Sequence, residues 1–314
     1  MTLTELRYIV NLEKERHFGR AAERSFVSQP TLSVAVKKLE DELGVILFER
    51  TRGEVKPTDV GQRIITQAKK VLAEAQAVED FAREGKDELS GPLRIGAIYT
   101  VGPYLLPGLV PALRARAPNM PLIIEENFTA KLLEQLRDSE LDVAILALPV
   151  DLNGLAAWPL YDEDFVAVLP QGHRWAGLKS LPPKRLAEEN LLLLGPGHCF
   201  RDQVVQACPK CIEPDTSLSR SLTGSSLETI RYMVASGLGI TVAPRAAMAA
   251  KDRSPDLVSL DLSEPTPHRQ VALLFRRGFP RMEALRVLRA AVLESGMAGV
   301  QWLPDAATVT AAES

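Results

Sequence analysis

The stretch "HFGRAAERSFVSQPTLSVAVKKLEDELG", residues 17–44, decides the fold of the first part of the chain. Its second half carries apolar residues at spacings of four, three and four, namely Leu32, Val36, Leu39 and Leu43. This spacing predicts a helix, which Ser28 can cap at its start and Gly44 can end. A shorter helical face precedes it, beginning at Phe18. Two short helices around a tight turn predict a helix-turn-helix, a motif that places its second helix in the major groove of DNA.

The residues that follow extend this motif into a winged domain with a long helix. The stretch "VILFERTRGEVKPTDVG", residues 45–61, predicts a β-hairpin with Gly53 at its tip. Five small or apolar residues then recur at alternating spacings of four and three: Ile64, Ala68, Val71, Ala75 and Val78. A single helix with such a seam requires a partner, so we expect it to dimerise the chain. The stretch "GKDELSGP", residues 85–92, ends the helix and predicts a linker.

From Leu93 onward, short apolar runs alternate with helical patterns. The runs "LRIGAI", "PLIIEEN" and "DVAILAL" read as strands separated by helices, and a second set includes "DFVAVLP", "NLLLLG" and "GITVAP". This alternation predicts an α/β domain with a parallel sheet. The final run "RQVALLFRR" and a helix over about 280–294 predict a return of the chain to the first half of that domain. We expect the alanine-rich end after Pro304 to be disordered.

Composition limits the function without deciding it. The 314 residues are enough for two or three domains, and a net charge of −3 is ordinary for a soluble protein. There is no charged and apolar leader and no apolar run long enough to cross a bilayer, so we expect a cytoplasmic protein without a membrane partner. The first 60 residues hold ten basic and ten acidic side chains, so DNA binding has to follow from local geometry.

All three cysteines lie within thirteen positions: Cys199, Cys208 and Cys211. On one unbroken helix, Cys199 and Cys208 would lie on opposite faces, with an axial offset of roughly 13 Å. A disulfide needs Cα atoms within about 7 Å, so the two can join only if the helix unwinds. The spacing is therefore poor for a structural disulfide and suitable for a conformational switch.

The neighbours of Cys199 favour a reactive thiol. A helix N-terminus or a nearby cation increases the population of the nucleophilic thiolate. Arg201 can stabilise that thiolate or a departing oxygen, and His198 and Asp202 can bind a substrate or hold Arg201. An inert, buried thiol remains the plain alternative.

Cys208 and Cys211 form a CxxC pair, which could be a redox pair or half of a zinc site. The chain has no second cysteine pair to complete such a site, so we expect no metal. Cys211 is then either a bystander or a second thiol that competes for bonding with Cys199 or Cys208.

The segment "FGRAAERSFVSQPTLSVAVKKLEDELGVILFERTRGEVKPTDVG" resembles the winged helix-turn-helix of LysR-type transcriptional regulators, and the length and domain order resemble that family over nearly the whole chain. The resemblance implies a multidomain α/β protein, in which a mostly helical DNA-binding domain and linker helix precede a regulatory domain like the periplasmic binding proteins, built from two α/β subdomains. The expected domains are a winged helix-turn-helix over 1–60, a linker and dimerisation helix with hinge over 61–90, regulatory subdomain I over 91–161 plus 267–300, regulatory subdomain II over 162–266, and a tail over 301–314.

Within that family, "GHCFRDQVVQAC" is similar to the redox centre of the hydrogen-peroxide sensors. That resemblance implies that Cys199 attacks peroxide and that Cys208 captures the resulting sulfenic acid as a disulfide. It also implies a peroxide pocket that includes Thr100 and Thr129, which follow predicted strands at the edge where open α/β sheets bind ligands. No cofactor is implied.

The implied partners are palindromic double-stranded DNA, hydrogen peroxide, RNA polymerase, a second copy of the chain in a dimer or tetramer, and a thiol reductase or glutathione system. Residues at the start of the second helix can reach base edges, and basic residues further along and on the wing suit phosphates or the minor groove. The expected DNA-binding residues are Gln29, Pro30, Thr31, Ser33, Lys37, Lys38, Arg50 and Arg52.

Two other functions remain open from the sequence. A LysR-type regulator could bind a small metabolite in the cleft between the subdomains, with incidental cysteines. A thiol peroxidase would use the same reactive cysteine. The predicted N-terminal DNA-binding domain argues against an enzyme. We expect no enzymatic activity.

Overall fold

The computed structural model describes residues 1–51, 54–84, 87–209, 226–249, 255–304, 307 and 309–310. The chain forms two compact units, Met1–Lys86 and Asp87–Ser314. Among the described residues, no helix combines the length and apolar character needed to cross a membrane.

The described part of the first unit contains the predicted helix-turn-helix, the hairpin and the long helix. Its elements are α1 Leu3–Glu15, α2 Phe18–Arg24, α3 Gln29–Leu43, β1 Phe48–Thr51, β2 Glu54–Pro57 and α4 Asp59–Glu84. The Ser28 hydroxyl caps α3 by accepting a hydrogen bond from the Thr31 amide at 3.3 Å. Gly44 ends α3 in the left-handed conformation, with φ at +68°. Gly53, predicted at the hairpin tip, lies outside the described residues.

Part of the predicted dimerisation seam on α4 is instead packed in the core of the first unit. Leu32, Val36 and Leu39 are buried in this core, as their spacing predicts. Ala68 is buried in it as well, and Ile64 packs against it, so both face their own unit. The first turns of α4 thus close the helix-turn-helix core. Val71 and Val78 are exposed and remain available to a partner, and Ala75 is half-buried.

The first half of the second unit is the predicted α/β layer. Its elements are β3 Leu93–Ile98, α5 Gly102–Arg116, β4 Leu122–Asn127, α6 Thr129–Arg137 and β5 Val143–Leu148. Strand β3 pairs in parallel with both β4 and β5. Because the carboxyl ends of these parallel strands share one edge, the loops that carry Thr100 and Thr129 lie next to each other.

A single long strand, β6 Leu155–Pro170, runs through both halves of the second unit. Its first part pairs with β11 His268–Arg276, and its last part pairs with β9 Ile240–Pro244 and β10 Leu257–Leu262. The other elements of the second half are β7 Ser180–Leu181, a 3₁₀ helix at Pro183–Glu188, β8 Leu191–Leu192, α7 Cys199–Ala207, α8 Leu227–Ala235 and α9 Arg245–Ala249. The predicted return to the first half is confirmed, because β11 and α10 Met282–Leu293 pack into the core of that half.

Two expectations are wrong in detail. The sheet is mixed rather than parallel, because β11 returns directly beside β5 and β6 and runs antiparallel to both. Disorder after Pro304 does not hold for the residues described there, since β13 Val309–Thr310 pairs with β6, as β12 Gln301–Trp302 does before Pro304. The unpaired backbone groups of β6 give the tail hydrogen-bond partners that a disordered segment would lack.

Candidate functional site

Helix α7 begins at Cys199. His198 precedes it as the N-cap residue without capping through its side chain. Gly197 makes the turn into the helix with φ at +95°, and a Cβ there would lie 3.3 Å from the Phe128 ring. The Cys199 thiol is half-buried and free, at a helix end whose dipole favours negative charge.

A small cavity adjoins this thiol. Its volume is about 10 Å³, close to the space that one water molecule needs. The lining residues come from the ends of β3 and β4 and from the start of α7: Ile98, Tyr99, Thr100, Asn127, Phe128, Thr129, Gly197, His198, Cys199 and Phe200. The structure therefore brings four of the predicted pocket and redox residues together around a space for a very small polar molecule.

The two threonines offer different hydrogen-bonding capacity. Thr100 is buried, and its hydroxyl accepts a hydrogen bond from Arg269 at 2.8 Å. The Thr129 hydroxyl is also buried, yet it has no hydrogen-bond partner among the described residues. Buried polar groups are nearly always paired, so the unused hydroxyl of Thr129 favours a ligand at this position.

Arg269, which the sequence analysis missed, is the buried cation of the site. It lies on β11, and its Nε donates to Glu163 at 2.9 Å while its Nη2 donates to the Thr100 carbonyl at 2.9 Å. Burial lowers the pKa of Arg269, but the Glu163 carboxylate, with smaller contributions from Tyr161 and Cys199, holds that pKa above its ordinary value. The guanidinium is thus permanently charged and attracts negative charge on the Cys199 sulfur.

Aromatic rings form one wall of the cavity. The His198 ring is buried and lies 4.8 Å from the Phe128 ring and 5.8 Å from the Tyr99 ring, measured between centroids. Phe128 and Tyr99 also meet edge to face at 5.4 Å. The three rings thus pack against one another in the lining of the cavity at the thiol.

Two predicted pocket residues do not line the cavity. The Arg201 guanidinium donates to the Leu194 carbonyl at 2.9 Å, within its own subdomain. Asp202 is exposed in the first turn of α7. The arginine whose charge interacts with Cys199 is therefore Arg269, which contacts the lining residue Thr100, and not Arg201.

The two cysteines at the ends of α7 belong to different cores. Cys199 packs against the core of the first half of the unit, and Cys208, the C-cap residue of α7, is buried in the core of the second half. Cys208 is disulfide-bonded in this structure and Cys199 is free, so the two are not joined to each other. Cys211 lies outside the described residues. The described residues contain no cluster of metal-ligating side chains.

The expected DNA-binding residues divide into three groups. Gln29, Pro30 and Thr31 are exposed at the start of α3, and Ser33 is half-buried. Both lysines further along α3 are exposed, but Lys38 is ion-paired with Glu5 at 2.9 Å. The side chain of Arg50, and the whole of Arg52, lie outside the described residues.

Two family models match the chain. One is described as the "Bacterial regulatory helix-turn-helix protein, lysR family" and matches residues 3–62. The other is the "LysR substrate binding domain" and matches residues 86–296. The first match lies within the first compact unit, and the second covers most of the second unit.

Individual relatives extend this similarity. The chain is 40% identical over 292 residues to the "DNA-binding transcriptional dual regulator OxyR" of Escherichia coli K12, which covers 93% of this chain and 95% of that protein. The full-length OxyR structure from Pseudomonas aeruginosa, with one cysteine replaced by aspartate, is 49% identical with a TM-score of 0.77 and covers 97% of this chain and 98% of that one. A cysteine-to-serine mutant of Corynebacterium glutamicum OxyR with H₂O₂ bound is 35% identical with a TM-score of 0.61, covering 94% and 92% of the two chains.

Proposed function

This chain belongs to the LysR family of bacterial transcription regulators, and we propose that it is a DNA-binding activator that senses hydrogen peroxide through Cys199. The observation that carries the proposal is the cavity of about 10 Å³ at the free Cys199 thiol, with the unpaired Thr129 hydroxyl in its wall and Arg269 hydrogen-bonded to the lining residue Thr100. The relatives named for hydrogen peroxide-inducible genes support the same reading.

The first chemical step joins sulfur to oxygen. The Cys199 thiolate attacks one oxygen of the peroxide, the O–O bond breaks, and the departing hydroxide takes a proton to become water. Thr100 and Thr129 would hold the two oxygens, and the charge of Arg269 would stabilise the departing hydroxide. Cys199 is left as a sulfenic acid.

The second step requires a thiol at Cys208. That thiol attacks the sulfenic sulfur, a second water leaves, and a disulfide forms, so two thiols supply the two electrons that reduce one peroxide. Because Cys208 is disulfide-bonded in the present structure, that bond has to be reduced first. Helix α7 then has to unwind, since its two ends pack in different cores.

The switch would act on DNA through subunit packing. Val71 and Val78 on α4 are exposed and would form the dimer contact, with tetramers on palindromic sites. A change in α7 would alter the spacing of the DNA contacts and the recruitment of RNA polymerase. A thiol reductase or glutathione would reset the disulfide in the bacterial cytoplasm, so peroxide acts as a signal rather than as a substrate for turnover.

The test of this function is peptide mass spectrometry on the fully reduced protein after one equivalent of hydrogen peroxide. We expect a rapid Cys199–Cys208 link. A link from Cys199 to Cys211 would keep the sensor and change the resolving thiol. If all three thiols stay reduced while a free-thiol control oxidises, the peroxide proposal fails.

A larger cavity favours the metabolite-binding alternative if the thiols do not react. It has a volume of about 750 Å³, within the range of small-molecule sites. Its walls are largely apolar and include Leu148, Phe165 and five prolines, with Gln203 of α7 at one side. Titration of the reduced protein with small aromatic and aliphatic acids, followed by calorimetry, would test this alternative.

Replacing Thr129 by valine is expected to slow oxidation of Cys199 about tenfold, the effect of losing one hydrogen bond to the peroxide. Valine has nearly the same shape, and the lost hydroxyl has no partner in the described structure, so the melting temperature should not fall. Stopped-flow oxidation kinetics and thermal unfolding measure the two quantities.

The companion variant is Thr100→Val, which should also slow oxidation, because Thr100 would hold the other peroxide oxygen, but which should destabilise the fold as well. This change removes an acceptor for Arg269 and leaves a buried donor unpaired, which costs about 1–3 kcal/mol of stability. An unchanged oxidation rate in the Thr129 variant would contradict its assignment as a peroxide ligand.

A further inference from the structure

Helix α2 ends in a Schellman motif that contains an unusual residue. The Val27 amide donates to the Ala22 carbonyl at 3.0 Å, and the Phe26 amide donates to the Glu23 carbonyl at 3.1 Å. This pair of bonds requires a left-handed residue between the helix and Val27, and Phe26 supplies it with φ at +55°. Glycine is the usual residue at this position, because a side chain is disfavoured in that conformation.

The Phe26 side chain does not pack in the core of its own domain. It is 96% exposed, whereas the next residue, Val27, packs against the core. The strained backbone and the exposed aromatic ring both lower the stability of the domain when no partner covers the ring. Strain of this kind is concentrated at functional positions, which suggests that the ring acts in a complex.

The position of Phe26 indicates what covers it. It lies two residues before Ser28, the N-cap of α3, so its Cα is within about 8 Å of the Ser28 Cα. The exposed residues Gln29, Pro30 and Thr31 follow directly. In helix-turn-helix proteins this end of the second helix enters the major groove, so a duplex that meets α3 also approaches Phe26.

We propose that Phe26 is a DNA-contacting residue whose ring packs on a thymine methyl group or deoxyribose at the edge of the groove read by α3. The proposal rests on the proposed DNA-binding function and adds an apolar contact to it. Phenylalanine is one of the side chains that make apolar contacts with thymine methyls. On this view, the domain retains a locally unfavourable residue because the complex needs it.

The test separates stability from binding. A duplex recovered from a random-sequence library by the full-length wild-type protein serves as the probe. Phe26→Gly and Phe26→Asn should raise the dissociation constant for that duplex about tenfold. The melting temperature should stay the same or rise by about 2–4 °C, because both residues accept the left-handed conformation.

Two further measurements identify the contact. The slope of the logarithm of affinity against the logarithm of salt concentration should not change, since no phosphate contact is lost. Phe26→Leu, which keeps an apolar side chain, should recover part of the affinity. Ser139→Gly is the matched control: Ser139 is also left-handed, with φ at +59°, and lies in the other unit, so its replacement should leave DNA affinity unchanged.

Three outcomes would count against the proposals, and they are distinguishable. If wild-type protein recovers no duplex, the proposed DNA-binding function fails. If wild type binds and Phe26→Gly binds equally well, the inference about Phe26 is overturned. A large fall in melting temperature for Phe26→Gly would also overturn it, because the ring would then stabilise the fold.

Discussion

Replacing Cys199 by serine is expected to abolish oxidation by hydrogen peroxide altogether. A serine hydroxyl is not a nucleophile toward peroxide at neutral pH, and no other described thiol adjoins the cavity. Serine is close in size to cysteine, and Cys199 is only half-buried, so the variant should fold normally and still bind DNA. Mass spectrometry should find that peroxide leaves the oxidation state of Cys208 unchanged, and the DNA-binding pattern should no longer respond to peroxide.

Cys208→Ser provides the control for this result. It leaves Cys199 in place, so the sulfenic acid should form on Cys199 and accumulate. A dimedone-type reagent can then trap it. Persistent peroxide-dependent changes in DNA binding by Cys199→Ser would show that another group is the sensor.

Arg269→Met is expected to have the second largest effect, on both chemistry and stability. The oxidation rate should fall about 100-fold, because the charge that stabilises the departing hydroxide is lost. The free energy of unfolding should also fall by about 3–5 kcal/mol, because the Glu163 carboxylate remains buried without its partner. Rate constants have to be measured below the lowered melting temperature.

Glu163→Gln separates the two effects. It breaks the same buried ion pair and should also destabilise the fold, yet it retains the Arg269 charge and its contacts with Thr100. We therefore expect a lowered melting temperature and a nearly unchanged oxidation rate. Equal slowing in both variants would mean that Arg269 acts through stability alone. Arg269→Lys keeps the charge without the paired donors, so its oxidation rate should lie between those of the wild type and Arg269→Met.

The DNA-binding unit was predictable from the sequence to within a few residues. Its signals are local: the α3 periodicity, the Ser28 cap and the Gly44 end depend on neighbours within one or two turns. The seam on α4 was harder to interpret, because Ile64 and Ala68 fit a dimer contact and an internal core equally well. Only the folded unit shows that both contribute to its own core.

The cysteine site was only partly predictable. Cys199 and His198 follow from one short motif, and the strand ends place Thr100 and Thr129. Arg269 lies 70 residues beyond Cys199 and reaches the site through an antiparallel strand that the sequence pattern predicted as parallel. The available signal was the arginine that opens the run "RQVALLFRR", two residues before its apolar stretch "VALLF".

If the proposed disulfide switch operates, the attachment of the two ends of α7 to separate cores sets the concentration of reductant at which the regulator switches off. On the proposed mechanism, the oxidised form gives up the packing of a nine-residue helix, and reduction restores that packing. For a two-electron couple, about 1.4 kcal/mol of helix stability shifts the midpoint potential by about 30 mV. Substitutions of Phe200 or Val204 on the buried face of α7, which leave both cysteines in place, would therefore shift the peroxide and reductant levels at which the cell responds.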